Sequence, residues 1–154
     1  MKATKITLAL ALCLVGVVVC YASDPNMGTW KLNEAKSRFS TGATKITTVV
    51  YEPAGDQVKV TTDGITGDGK PVHTEWTGKF DGNDYPVTGD ASVDTRSYKR
   101  VDDHTLDSTN KKDGKVTTSA HIVVSGDGKS RTVTVRGTTA DGKTVSSTAI
   151  YDKQ

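Results

Sequence analysis

Six Asp-Gly pairs punctuate this chain, at 63–64, 68–69, 81–82, 113–114, 127–128 and 141–142, with strand-length segments between them. Both residues tolerate the positive φ that tight hairpin turns demand, so such pairs between alternating segments are the strongest local mark of antiparallel hairpins. Residues 70–80 alternate most cleanly: Val72, Thr74, Trp76, Gly78 and Phe80 point one way, and His73, Glu75, Thr77 and Lys79 the other. A period of two that sorts apolar from charged side chains predicts a sheet with one buried and one wet face. The same alternation turns Val116, Thr118, Ala120, Ile122 and Val124 inward. It does so again for Val133, Val135 and Gly137, and for Val145, Ser147, Ala149 and Tyr151.

Further strands near 28–33, 44–52, 56–62, 84–88, 93–101 and 104–110 bring the total to about ten in up-and-down order. The one segment with a helical leaning, Asn33 to Phe39, is long enough for a turn or two capping one end. Such a sheet has two open edges, and closing into a barrel removes them. The expected fold is all-β, an antiparallel up-and-down barrel of about 8–10 strands. A two-sheet sandwich, which ordinarily carries longer crossing connections, is the alternative. The inward faces mix Val and Ile with Thr, Ser, Ala and Gly, which leaves either a roomy cavity or a filled, compact core.

Ahead of the strands, residues 1–22 read as a secretory signal. Lys2 and Lys5 precede the uncharged run Ile6 to Val19, and small residues at Cys20 and Ala22 place cleavage after Ala22. The run falls short of the about 20 apolar residues of a membrane span, and no basic stop follows it. Bulky Val19 makes lipid attachment at Cys20 the lesser expectation. The domain proper is then residues 23–154, exported to a periplasm or secreted. Cys13 and Cys20 are the chain's two cysteines, so this domain holds together without a disulfide. Of 20 basic and 18 acidic residues, the leader takes two lysines and no acid, which leaves 18 of each. A neutral domain lacks the electrostatic footprint of a nucleic-acid partner or an anionic membrane.

Gly28-Thr29-Trp30-Lys31-Leu32 resembles the Gly-x-Trp signature that opens the first strand of lipocalins and fatty-acid-binding proteins, with Gly-Thr-Trp-Lys-Leu closest to the latter. The end of the chain, Thr148 to Lys153, is similar to that branch's closing strand. In organisation the domain is similar to small exported bacterial lipocalin-like proteins. The resemblance implies a barrel that carries a hydrophobic small molecule, with Trp30 closing its base. Two features depart from the pattern. Ala149 stands where an Arg two residues before the closing Tyr151 would hold a ligand carboxylate, and no helix-turn-helix lid separates the first two strands.

Catalytic patterns are lacking in the sequence. His73 and Glu75 share a strand face, but zinc needs three or four convergent ligands. His104 and His121 read as solvated. No serine stands in a nucleophile elbow, and a catalytic cysteine leaves with the leader. The stretch Asp63 to Gly69 lacks the spacing of a calcium loop. The expected function is a non-enzymatic carrier, without cofactor or metal, for an apolar or amphipathic small molecule. Trp30, Trp76, Phe80 and Tyr151 would line base and wall. Arg96, Tyr98 and Arg100 would set polarity at the mouth if their face of 93–101 is inward, since guanidinium pairs with anionic head groups. If it is outward, they are solubilising charges. An envelope structural or protein-interaction module with a filled barrel is the alternative function.

Overall fold

Alternation along the chain becomes eleven antiparallel strands in the described residues, 24–138 and 142–154, of the computed structural model. The expected leader at 1–22, with both cysteines and the cleavage point, lies outside these residues, as does Asp141. The strands are β1 (Gly28–Leu32), β2 (Arg38–Phe39), β3 (Lys45–Ala54), β4 (Gln57–Ile65), β5 (Pro71–Gly78) and β6 (Tyr85–Thr88). They continue as β7 (Thr95–Arg100), β8 (Thr105–Lys112), β9 (Lys115–Val124), β10 (Ser130–Thr138) and β11 (Thr144–Lys153). From β3 onward each pairs with its neighbour in sequence, and β1 joins β3 to β11. Trp30 lies opposite Val49 on one side and Lys153 on the other. That pairing closes ten strands into a barrel, and a sandwich is excluded.

Three local expectations are corrected. Asn33–Phe39 is not a two-turn helix. It forms a single 3-10 turn at Glu34–Lys36, with Asn33 as its N-cap, and then β2, which pairs with β11 at Phe39 and Ser147. Asp63-Gly64 is no hairpin. Both residues lie inside β4, where Asp63 faces Thr48 and His73, and Gly64 faces Ile46 and Val72. The ladder is irregular between Ile46 and Thr48, and a Cβ on Gly64 would lie 2.3 Å from the Lys45 carbonyl oxygen. Glycine serves close backbone approach at this bulge. The chain turns at residues 66–70 instead, where the Thr66 N–H donates to the Lys70 carbonyl at 2.8 Å. Val116, expected inward, is 58% exposed. A second irregularity between Asn110 and Lys111 leaves it opposite Lys111, close to the Asp113-Gly114 turn where the hairpin ends.

The barrel has two unlike ends. The segment 24–27, the β3–β4, β7–β8 and β9–β10 turns and the C-terminus gather at one, called here the base. The β2 segment and the β4–β5, β6–β7 and β8–β9 turns form the rim. The wall is thinnest at β6, which makes two register pairs with β5 and two with β7. Pro86 within it offers no amide hydrogen. Amides of β6 are expected to exchange with deuterium faster than those of β9, β10 and β11, where ladders run seven to nine residues. Peptide-resolved exchange with equal protection across β6 and β10 would refute this.

Candidate functional site

The interior changes character from base to rim. Reading across β8, β9, β10 and β11, one rung holds Leu106, Ile122, Val133 and Ala149. The next toward the rim holds Ser108, Ala120, Val135 and Ser147, and the one after holds Asn110, Thr118, Gly137 and Val145. Across the barrel, Tyr51, Val60 and Trp76 give way to Val49, Thr62 and Thr74. Large apolar groups therefore fill the base, and small or hydroxylated ones wall the other half.

The base is a packed plug. Trp30 is fully buried, and its Nε1–H donates to the Asn26 carbonyl at 2.9 Å. Arg131, 3% exposed, lies over the rings of Trp30, Tyr51 and Tyr151 at 4.8–5.2 Å. Its Nε and Nη1 have no hydrogen-bond partner, so three aromatic faces compensate a desolvated cation, at up to about 2 kcal/mol each. Burial pushes the Tyr151 hydroxyl up to about 12, and burial beside Tyr98 likewise raises Tyr51. Both stay protonated at neutral pH, and Tyr151 donates to the Ile46 carbonyl at 2.9 Å. Trp76 packs on Tyr98, Tyr85 and Phe80, with centroids 4.8, 5.7 and 6.4 Å away. Its Nε1–H reaches the Arg96 carbonyl at 2.8 Å, tying β5 to β7 behind the short β6.

The face of β7 that carries Arg96, Tyr98 and Arg100 is inward, but the three do not meet at one mouth. Arg100 sits at the base, bonded to Asp24 and over the Phe80 ring at 5.1 Å. Burial pushes Asp24 up, yet hydrogen bonds from Asn26 and the Arg100 guanidinium hold its carboxyl below its ordinary value. Tyr98 is 4% exposed in the plug. Arg96 alone faces the small-residue half. Trp30, Trp76, Phe80, Tyr98 and Tyr151 are thus brought together as base packing, and Arg96 is set apart from them.

Arg96 is 9% exposed. Its Nε–H donates to Asn110 Oδ1 at 2.7 Å, and Asn110 Nδ2–H donates to Thr118 Oγ1 at 2.9 Å. Neither Nη has a hydrogen-bond partner among the described residues, and neither is among the sealed, unpartnered atoms, unlike Arg131 Nη1. No carboxylate pairs with Arg96 among the described residues. Within the two rim-side rungs Asn110, Thr118, Ala120, Val135 and Gly137 point inward yet stay partly exposed, as walls of a recess do, while Ser108, Ser147 and Val145 are buried. A Cβ on Gly137 would lie 2.3 Å from the Thr117 carbonyl oxygen and 2.5 Å from the Thr118 methyl, so glycine lets β9 and the Thr118 side chain approach this closely. On the opposite wall the buried hydroxyls of Thr62 and Thr74 bond to each other at 2.7 Å. At the rim a shallow groove of about 560 Å³ runs between Phe39 to Lys45 and Ile65 to Gly69.

Sequence reasoning named Arg96 together with Tyr98 and Arg100; Arg131, on the face of β10 that carries Val133, is the further arginine that is inward. Sequence reasoning passed over Asn110 and Thr118. Thr118 was legible as inward, but nothing local marks an asparagine as a guanidinium partner. His73 Nδ1 meets Asp63 and His121 Nδ1 meets Asp107, each at 2.7 Å on the outer face. No cluster of three or more metal-ligating side chains occurs among the described residues. No helix among them is long and apolar enough to cross a membrane.

No protein-family model matches the chain, and no curated protein sequence does. Among solved structures it is similar to a redesigned β-barrel, mFAP1, bound to DFHBI, at 16% identity and TM-score 0.47, over 84% of this chain and 95% of that one. It is also similar to EF1p2_mFAP2b bound to DFHBI, at 12% identity and TM-score 0.46, over 86% and 97%. A fluorescence-activating β-barrel designed de novo aligns at 15% identity and TM-score 0.41, over 83% and 93%.

Proposed function

We propose that this protein is an exported, non-enzymatic carrier that holds a small amphipathic molecule in the rim-side half of its barrel. The observation that carries this reading is the graded interior. One half is sealed by Trp30, Tyr51, Trp76, Tyr98 and Tyr151, while in the other, walled by smaller side chains, Asn110, Thr118, Ala120, Val135 and Gly137 keep partial exposure. A concave site with a few placed polar groups is the ordinary form of a small-molecule pocket. Ten strands enclose more width than small side chains fill, because about eight already suffice to be packed by their own residues. Export rests on residues 1–22.

Native mass spectrometry of the protein purified from the cells that make it, before and after organic extraction, tests the reading. A bound species lost on extraction, with a protein mass matching residues 23–154, is the expected result. A single unliganded mass, unchanged by extraction, would overturn the carrier in favour of a filled interaction module.

A further inference from the structure

Arg96 presents a problem of charge. A guanidinium nine-tenths buried is costly unless it is paired. Arg131 is covered by three aromatic faces, and Arg100 is bonded to Asp24. Arg96 has only the neutral side-chain amide oxygen of Asn110 at Nε, which leaves both Nη groups without a hydrogen bond or an anionic partner among the described residues. Asn110 is itself held by Thr118, so the guanidinium plane is fixed before anything binds.

We propose that the Nη edge of Arg96, oriented by Asn110 and Thr118, is the anion-recognition point of the recess, selecting amphiphiles with a singly charged head group. This rests on the carrier reading above. The head group forms two charge-assisted hydrogen bonds to the free nitrogens, the geometry in which guanidinium binds oxyanions best. Single charge follows from the count of cations. Arg96 is the one arginine of β7 not already compensated, so a monoanion makes a neutral pair, whereas a second negative charge would stay buried and unbalanced. The apolar part lies against Ala120 and Val135, one rung toward the base.

The test uses the purified protein and displacement of N-phenyl-1-naphthylamine, a neutral fluorophore, by three compounds of one chain length. These are octyl sulfate, singly charged; octyl phosphate, mostly doubly charged at about pH 8; and neutral 1-octanol. Octyl sulfate is expected to displace the dye at about tenfold lower concentration than either of the others, as charge-assisted bonds imply. Arg96→Met should remove that preference while octanol still competes. Asn110→Asp keeps the guanidinium but supplies it with a carboxylate, and should remove the preference as well; this variant guards against a folding defect in the first. Lys99→Met, on the outer face of β7, should leave all three unchanged. Equal displacement by sulfate and octanol in the unaltered protein, or a sulfate preference that survives both substitutions, overturns the anion point and leaves the carrier standing. Failure of the dye and of all three amphiphiles to bind overturns the carrier reading itself, and this inference with it.

Discussion

Trp76→Ala is expected to lower the stability of the domain by about 3–5 kcal/mol, the range for removing a buried large aromatic. Trp76 is 1% exposed and touches three aromatic rings, so its loss opens a cavity that Tyr98, Tyr85 and Phe80 are not placed to fill. It also loses the bond to the Arg96 carbonyl, which is the side-chain link between β5 and β7 where the wall is thinnest. Domains of this size have about 5–15 kcal/mol in all, so the change takes a large fraction of it. Trp76→Phe separates the two contributions: it keeps most of the packing, and the lost hydrogen bond should cost about 1–2 kcal/mol. Urea unfolding of the three proteins reads the result. A Trp76→Ala loss below about 1 kcal/mol, the size of an ordinary substitution, would contradict the plug.

A second large effect is expected at Gly64, and it reverses what an Asp-Gly pair ordinarily implies. Gly64→Ala puts a Cβ 2.3 Å from the Lys45 carbonyl oxygen and 2.8 Å from the Ile46 Cα, both backbone atoms that cannot swing away. The β3–β4 ladder has to open at the bulge, at a cost of about 3 kcal/mol, the upper range of overpacking. Gly69, five residues on in the next Asp-Gly pair, has φ +85° and open space around it, so alanine there meets only the left-handed backbone penalty of about 1–2 kcal/mol. Were both pairs hairpin turns, the two substitutions would cost the same. Thermal unfolding in which Gly69→Ala is the more damaging would show that β4 does not run through Gly64.

These two glycines show where a local reading succeeds and where it stops. Asp-Gly at 113–114 is a turn, with Asp113 at φ 49° and Gly114 at φ 72°, as the dipeptide implies. Asp-Gly at 63–64 stays within a strand because β3 pairs alongside it, opposite the register shift between Ile46 and Thr48, a contact made by residues 15 to 19 positions away. The same limit applies to the binding residues. Parity put Trp76 and Tyr151 on inward faces, since alternation needs only the chain itself, and gave Arg96, Tyr98 and Arg100 one shared face without deciding that it was the inward one. It did not say how deep each would lie.

About ten antiparallel strands, and the side of nearly every strand that meets the interior, follow from the order of residues alone. Both rest on a two-residue period and on turn chemistry, which act over a few neighbours. Closure of β1 onto β11, and the depth of each inward residue along the barrel, arise only when the strands are assembled. Arg96 and Arg100 illustrate the reason: they share a face, but four residues separate them by about 13 Å along the strand. Register with β8 carries one toward Asn110 and the recess, and the other to the base with Asp24. Depth is a property of how ten strands are staggered against one another, and no segment of the chain contains that information.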